Sequence, residues 1–157
     1  MGETRWLDEN EQRAWRGLLS MYTQLTTHLA REMAADSDLS MADFAVLVSL
    51  TDDCGGRVRA YALAETLGWE KSRLSHQLAR MAARGLIERA DCSEDGRGQV
   101  VSVTAAGRAA IEAAAPAHVE HVRQVFADVL TPAQIKALAG ISEAVLAALG
   151  RERAARR

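Results

Sequence analysis

Apolar residues at Trp15, Leu18, Tyr22, Leu25, Leu29 and Met33 recur at spacings of three and four, the signature of one buried stripe on a long helix. Asp8 and Glu11 precede that stripe as a capping pair, so the helix is expected to start near Glu9. A second start follows at Leu39-Ser40, with Asp43 placed to reach back to the cap and Phe44 to staple against Leu39. Its core-facing positions would be Phe44, Leu47, Val48 and Leu50. Asp52 to Arg57, holding Gly55 and Gly56, reads as a turn. Beyond it, Ala60 to Leu67 predicts a short helix presenting Leu63, Ala64 and Leu67, ended by Gly68. A further helix from about Glu70 to Arg84 carries Leu74, Leu78 and Met81 on one side.

The period then changes. Leu86 to Arg89 and Val100 to Val103 are short and β-prone, and the charged, glycine-containing stretch from Ala90 to Gln99 between them predicts a protruding hairpin loop. Thr104 can cap a helix that continues through Ile111, Val119, Val122, Val125, Phe126 and Val129, with a bend or an interruption expected at Pro116. The last helix opens on Leu130-Thr131-Pro132, with Ile135 as staple partner, and is expected to end at Gly150. Arg151 to Arg157 is left as a charged, frayed end. The stripes of the first and last helices are hard to bury around so small a central module, so they are expected to meet the same stripes of a second chain.

Composition agrees with a helical reading, because alanine is abundant and the 157 residues contain two prolines. The formal net charge of -2 gives no global attraction to nucleic acid, and distribution matters more than the total. Arg57 to Arg97 carries a net of +2 and the remainder -4, an asymmetry too small to identify a function. Two cysteines, Cys54 and Cys92, cannot build a disulfide framework. No run approaches the roughly 18 uninterrupted apolar residues of a membrane span, and the polar N-terminus is unlike a signal peptide. The cytoplasm is therefore the expected location, with no membrane partner.

Two abutting helices with Ala64 at the crossing, Gly68 at the bend and Leu74 tying the second helix to the core make a helix-turn-helix. The hairpin immediately after it strengthens that reading. The segment Leu63 through Thr104, with Leu67-Gly68, the helix Glu70 to Arg84 and Gly85-Leu86-Ile87-Glu88-Arg89, resembles the MarR family of bacterial regulators. The loop Asp95-Gly96-Arg97, the exit Val103-Thr104-Ala105-Ala106-Gly107, and the run from Pro116-Ala117-His118 to Leu130-Thr131-Pro132 extend the resemblance over nearly the whole chain. Glu70 departs from it, standing where the family commonly has serine.

The resemblance implies a mainly α fold with a small β-hairpin wing, a winged helix-turn-helix with N- and C-terminal dimerisation helices. Residues 1–36 would be the N-terminal dimerisation region, 37–104 the DNA-binding domain, 105–150 the C-terminal dimerisation helices and 151–157 a flexible charged tail. It implies a homodimer on a palindromic double-stranded operator, repression, and release by a small aromatic or amphipathic effector. On a helix laid in the major groove, Ser72, Arg73, Ser75, His76 and Gln77 are candidates for contact. Arg73 can address guanine and Gln77 adenine, while Lys71 and Arg80 suit phosphate. Arg97 matches the family's wing arginine, with Asp95 supporting it through an ionic hydrogen bond. The effector region implied by the resemblance would be bordered by Trp15, Met21, Tyr22, His28 and Phe44, residues that would equally serve as ordinary core.

Other classes gain less support. There is no phosphate-binding loop and no clustered metal-ligand spacing, so neither an enzyme nor a cofactor is expected. His118 and His121 share a helical face, but two ligands are too few for a closed zinc site. Thiol-based redox control through Cys54 or Cys92 is the regulatory alternative. A winged-helix interaction module without DNA binding is the alternative from a different class, favoured by Glu70 and the acidic total.

Overall fold

The structure is a computed structural model describing residues 4–52, 56–91 and 98–155. Helices α1 (Glu9–Asp36) and α2 (Met41–Thr51) lead into strand β1 (Arg57–Arg59), then α3 (Ala60–Leu67) and α4 (Lys71–Ala83). Strands β2 (Ile87–Asp91) and β3 (Gln99–Val103) follow, then α5 (Ala105–Val122), a π-helical stretch (Arg123–Ala127) and α6 (Pro132–Ala155). Two compact units result, Met1–His118 and Val119–Arg157.

In the first unit both expected capping boxes form. Asp8 Oδ1 accepts from the Glu11 N–H at 2.8 Å while Glu11 Oε2 accepts from the Asp8 N–H at 2.8 Å. Ser40 and Asp43 make the same reciprocal pair at the start of α2. These bonds satisfy amides that the first turn leaves without intrahelical partners. Of α1, Leu29 and Met33 are buried. The centre of the unit is made by Val46, Leu47 and Leu50 of α2, Leu63 of α3, Leu78 and Met81 of α4, and Ile87 and Val101 of the sheet.

Three details differ from the periodicity reading. The turn expected to run to Arg57 gives way to a third strand, so the wing is a three-stranded antiparallel sheet in the order β1-β3-β2. Arg57, Val58 and Arg59 pair with Ser102, Val101 and Val100 on the edge of β3 opposite the hairpin. Three residues are too few to show an alternating period; pairing with β3, not intrinsic propensity, makes them a strand. Pro116 does not interrupt α5, and the irregularity comes later, where the Asp128 N–H reaches the Arg123 carbonyl at 2.9 Å in a π-type bond. The last helix passes through Gly150 to Ala155, so residues 151–155 are helical where a flexible tail was expected. Glycine weakens a helix interior by about 1 kcal/mol relative to alanine, which neighbouring Ala and Arg positions can offset.

The bend between α3 and α4 is set by Gly68, which sits at φ 65 and ψ 30. The Trp69 N–H then reaches back to the Ala64 carbonyl at 3.0 Å, closing a Schellman-type stop. A side chain at this φ is strained, although nothing within 4 Å would touch its Cβ. Gly68→Ala should therefore cost about 1 kcal/mol and Gly68→Asn less, since asparagine tolerates the left-handed region better. Denaturant titration of the three proteins checks that order.

In the second unit, Thr131 and Gln134 cap α6 reciprocally, at 2.8 Å from the Thr131 N–H to Gln134 Oε1 and 3.3 Å from the Gln134 N–H to Thr131 Oγ1. No residue of α6 is buried, and Ile141, Val145, Leu146 and Leu149 are exposed. By length and composition α6 alone, among the helices of the described residues, passes as a membrane span, which for a single helix is weak evidence.

Candidate nucleic-acid interface

Helix α4 is clamped on one side and open on the other. Successive residues turn by about 100°, so Leu74, Leu78, Met81 and Gln77 fall within one arc, and all four are buried. Lys71, Ser72, Arg73, Ser75, His76 and Arg80 occupy the remaining arc and are exposed. The open face thus brings together three cations, two hydroxyls and an imidazole on a single rigid element. Glu70 is the N-cap but makes no side-chain capping bond, as a glutamate in place of serine would suggest.

Gln77 is the exception among the expected contact residues. Its side chain is only 2% exposed, and its Nε2 donates to Asp43 Oδ1 at 2.6 Å. An adenine edge has no access to it, so the expectation of a base contact is corrected. The angular position, 40° from Met81 on a helical wheel of about 100° per residue, was the signal available in the sequence.

Trp69 was not singled out from the sequence and belongs to this face. The guanidinium carbon of Arg73 lies 4.4 Å from the Trp69 ring centroid, a cation–π contact between residues four apart. Trp69 is half-buried against the core, so it offers Arg73 a fixed shelf at the start of α4.

Beside α4 the wing rises on its paired strands, with Arg89 opposite Val101 and Asp91 opposite Gln99. Arg89 Nε donates to Gln99 Oε1 at 3.0 Å, and Gln99 Nε2 reaches Asp91 Oδ1 at 3.5 Å, joining the strands at the root of the loop. A cavity of about 260 Å³ separates α4 from the wing, with Lys71 and Ser75 on one wall and Arg89 and Gln99 on the other. Asp95, Arg97, Cys54 and Cys92 lie outside the described residues.

An ionic cluster around the buried Asp43 holds α4 from behind. Asp43, 3% exposed, receives Arg84 Nη1 at 2.8 Å, the Ser40 N–H at 2.9 Å and the Ser40 hydroxyl at 2.8 Å, all on Oδ2. Arg84 also donates to the Asp38 carbonyl at 2.6 Å. Burial alone pushes the Asp43 carboxyl up. The Ser40 backbone N–H, the Arg84 hydrogen bond, the Ser40 hydroxyl and the Arg84 charge outweigh it and hold the carboxyl below its usual range.

Within one chain, the candidate effector residues do not share one face. On α1, Trp15 and Tyr22 share a face and Met21 and His28 share another, more than 100° away by helical geometry. Trp15, Met21 and Tyr22 are exposed, while His28 Nδ1 is 3.7 Å from Glu32 Oε1. Phe44 is core, its ring 4.5 Å from that of His118, so it is not a free wall of a cleft. His118 is thereby packed on an aromatic ring, and no group of three or more metal-ligating side chains occurs among the described residues.

Residues 37–98, from the end of α1 to the wing loop, match the model of the MarR family. Over 104 residues the chain is 32% identical to the transcriptional regulator HosA of Escherichia coli O127:H6, spanning 66% of this chain and 73% of HosA. The chain belongs to the MarR family. AbsC, a MarR family transcriptional regulator from Streptomyces coelicolor, is 36% identical with a TM-score of 0.85, over 93% of this chain and 98% of AbsC. Sco3205, of the same family and organism and solved in complex with DNA, is 38% identical with a TM-score of 0.86, over 92% of this chain and 90% of Sco3205. The MarR fold accounts for the α3–α4 pair, the wing and the flanking helices together. As a member of this family the chain is a DNA-binding transcriptional regulator rather than an enzyme.

Proposed function

We propose that two copies of this chain bind a palindromic double-stranded operator, each placing α4 in a major groove, and that binding represses transcription. The observation that carries this is the open face of α4, where Lys71, Ser72, Arg73, Ser75, His76 and Arg80 are exposed on a helix fixed from behind. A helix in the major groove presents such a face to base edges and flanking phosphates. The similarity to Sco3205, solved with DNA, supports the same reading.

Dimerisation is supported by apolar surface with nothing to cover it in one chain. Trp15, Leu18 and Tyr22 of α1 and Ile141, Val145, Leu146 and Leu149 of α6 are exposed. Extended exposed apolar surface marks an interaction site in a protein that stays dispersed. A second copy is the natural cover for helices whose charged residues, such as Lys136, Glu143 and Arg151, interrupt the apolar run. A cytoplasmic location and release from the operator by a small aromatic or amphipathic compound complete the reading.

Selection of bound duplexes from a random library tests it. The expected product is an inverted repeat whose half-sites lie about 34 Å apart, one turn of duplex. Recovery of no motif, together with a monomer in sedimentation, would reject the reading. On the selected operator, Arg73→Ala should relax base preference by about 1–3 kcal/mol at one position of each half-site. Arg97→Ala should instead weaken all duplexes alike and lower the salt slope by about 1. Competition with matched and mutated operators at two salt concentrations separates the two effects. For the effector, a compound that binds must also lower operator affinity, because only differential binding shifts the equilibrium.

A further inference from the structure

Gln77 is a buried polar residue on α4, placed between two charged groups of opposite sign. Its Nε2 donates to Asp43 Oδ1 at 2.6 Å, and its Oε1 accepts from Arg80 Nη2. The direction of the amide is fixed by chemistry. A carboxylate can only accept and a guanidinium can only donate, so the NH2 must face Asp43 and the carbonyl must face Arg80. Asp43 is itself pinned through its other oxygen by Ser40 and Arg84, leaving Oδ1 for Gln77. The path thus runs from a buried anion anchored on α2, through a carboxamide that cannot turn over, to a cation on the exposed face of α4.

We propose that Gln77 is a positioning residue for DNA binding: it holds the Arg80 guanidinium in one orientation on the face of α4, ready for a phosphate. This rests on the reading of α4 as the helix that meets DNA. An unrestrained arginine loses rotamer freedom when it docks, whereas one already held by a neighbouring acceptor loses less. The role assigned is therefore indirect, with Arg80 making the contact and Gln77 setting its geometry.

A double-mutant cycle on the selected operator, using the full chain, tests the proposal. Arg80→Ala alone should weaken binding about 5-fold, as loss of one charge-assisted phosphate contact does. In the Q77M background the same Arg80→Ala change should cost under about 2-fold, because the two effects are coupled. Loss of packing alone would lower the Tm of Q77M yet leave the Arg80→Ala effect at its full size, and that additivity would overturn the proposal. Unchanged affinity for both R73A and R80A would instead show that the DNA face itself is misplaced. An independent signature is rotation of the Arg80 Nη groups in free wild-type protein, followed by nitrogen-15 NMR. Slowed rotation supports the proposal and free rotation overturns it, a result that decides the matter even if Q77M fails to fold.

Discussion

Gly107→Ala is expected to destabilise the protein by about 3 kcal/mol, more than loss of a typical surface contact and comparable to a cavity in the core. A Cβ built at Gly107 would lie 2.0 Å from the Leu86 carbonyl oxygen and 3.1 Å from Val103 Cγ2. The first of these is backbone, which cannot rotate away, so α5 would have to lift from the turn that leads into β2. That movement would strain the joint made by Thr104. Its N–H donates to the Leu86 carbonyl at 3.2 Å, its hydroxyl donates to the Gly85 carbonyl at 2.7 Å, and the same oxygen accepts the Gly107 N–H at 3.0 Å. Each such bond contributes about 1 kcal/mol, and the overpacking adds about 1–3 kcal/mol. For a chain of this size the Tm should fall by roughly 10 °C. Gly140→Ala, where nothing lies within 4 Å, is the control and should be neutral or slightly stabilising. Equal Tm values for the G107A and wild-type proteins, at one protomer concentration, would show that the corner yields freely.

Much of this architecture was readable because capping chemistry and helical periods are local. Asp8-Glu11, Ser40-Asp43 and the cap Thr131 announce three helix starts; all three caps form as reciprocal pairs, Thr131 with Gln134. The glycine at 68 and the β-prone runs around the wing loop are local signals too. The features that escaped depend on contacts distant in sequence. Strand β1 exists because β3, more than forty residues on, offers an edge. Gln77 looked like a reader of bases since polar residues on a helix default to solvent, and nothing local reveals that Asp43, 34 positions earlier, waits behind it. Its angle on the helical wheel falls among Leu74, Leu78 and Met81, and that angle, not its polarity, matches its burial. Trp69 shows the converse: an apolar residue at the turn reads as core, although its ring also supports Arg73. The effector candidates on α1 are alike in type but are spread around the helix. Their angles around the helix separate them.

The same distant contacts make Asp43 the second place where one substitution should have a large effect. Asp43→Asn keeps size and shape and changes only charge and hydrogen-bond polarity. Its new NH2 must face one of the donors that Asp43 now accepts, Arg84, Ser40 or Gln77, so at least one buried donor loses its partner. An unsatisfied buried group costs about 1–3 kcal/mol, and loss of the paired charge adds to it, moderated because Arg84 is 40% exposed and can turn to water. About 2–3 kcal/mol is expected at neutral pH, read from denaturant midpoints. The pH dependence gives a second handle. The folded carboxyl titrates below its ordinary range, so the unfolded chain takes up a proton first as the pH falls. The stabilisation from ionised Asp43 is therefore full above the ordinary carboxylate pKa and is lost as the pH drops through the depressed folded value. The gap between wild type and D43N should narrow over that acidic window and stay constant from there to neutrality. A gap that held its full size into acid would mean that the hydrogen-bond polarity at this position, rather than the charge of the carboxylate, ties α2 to α4.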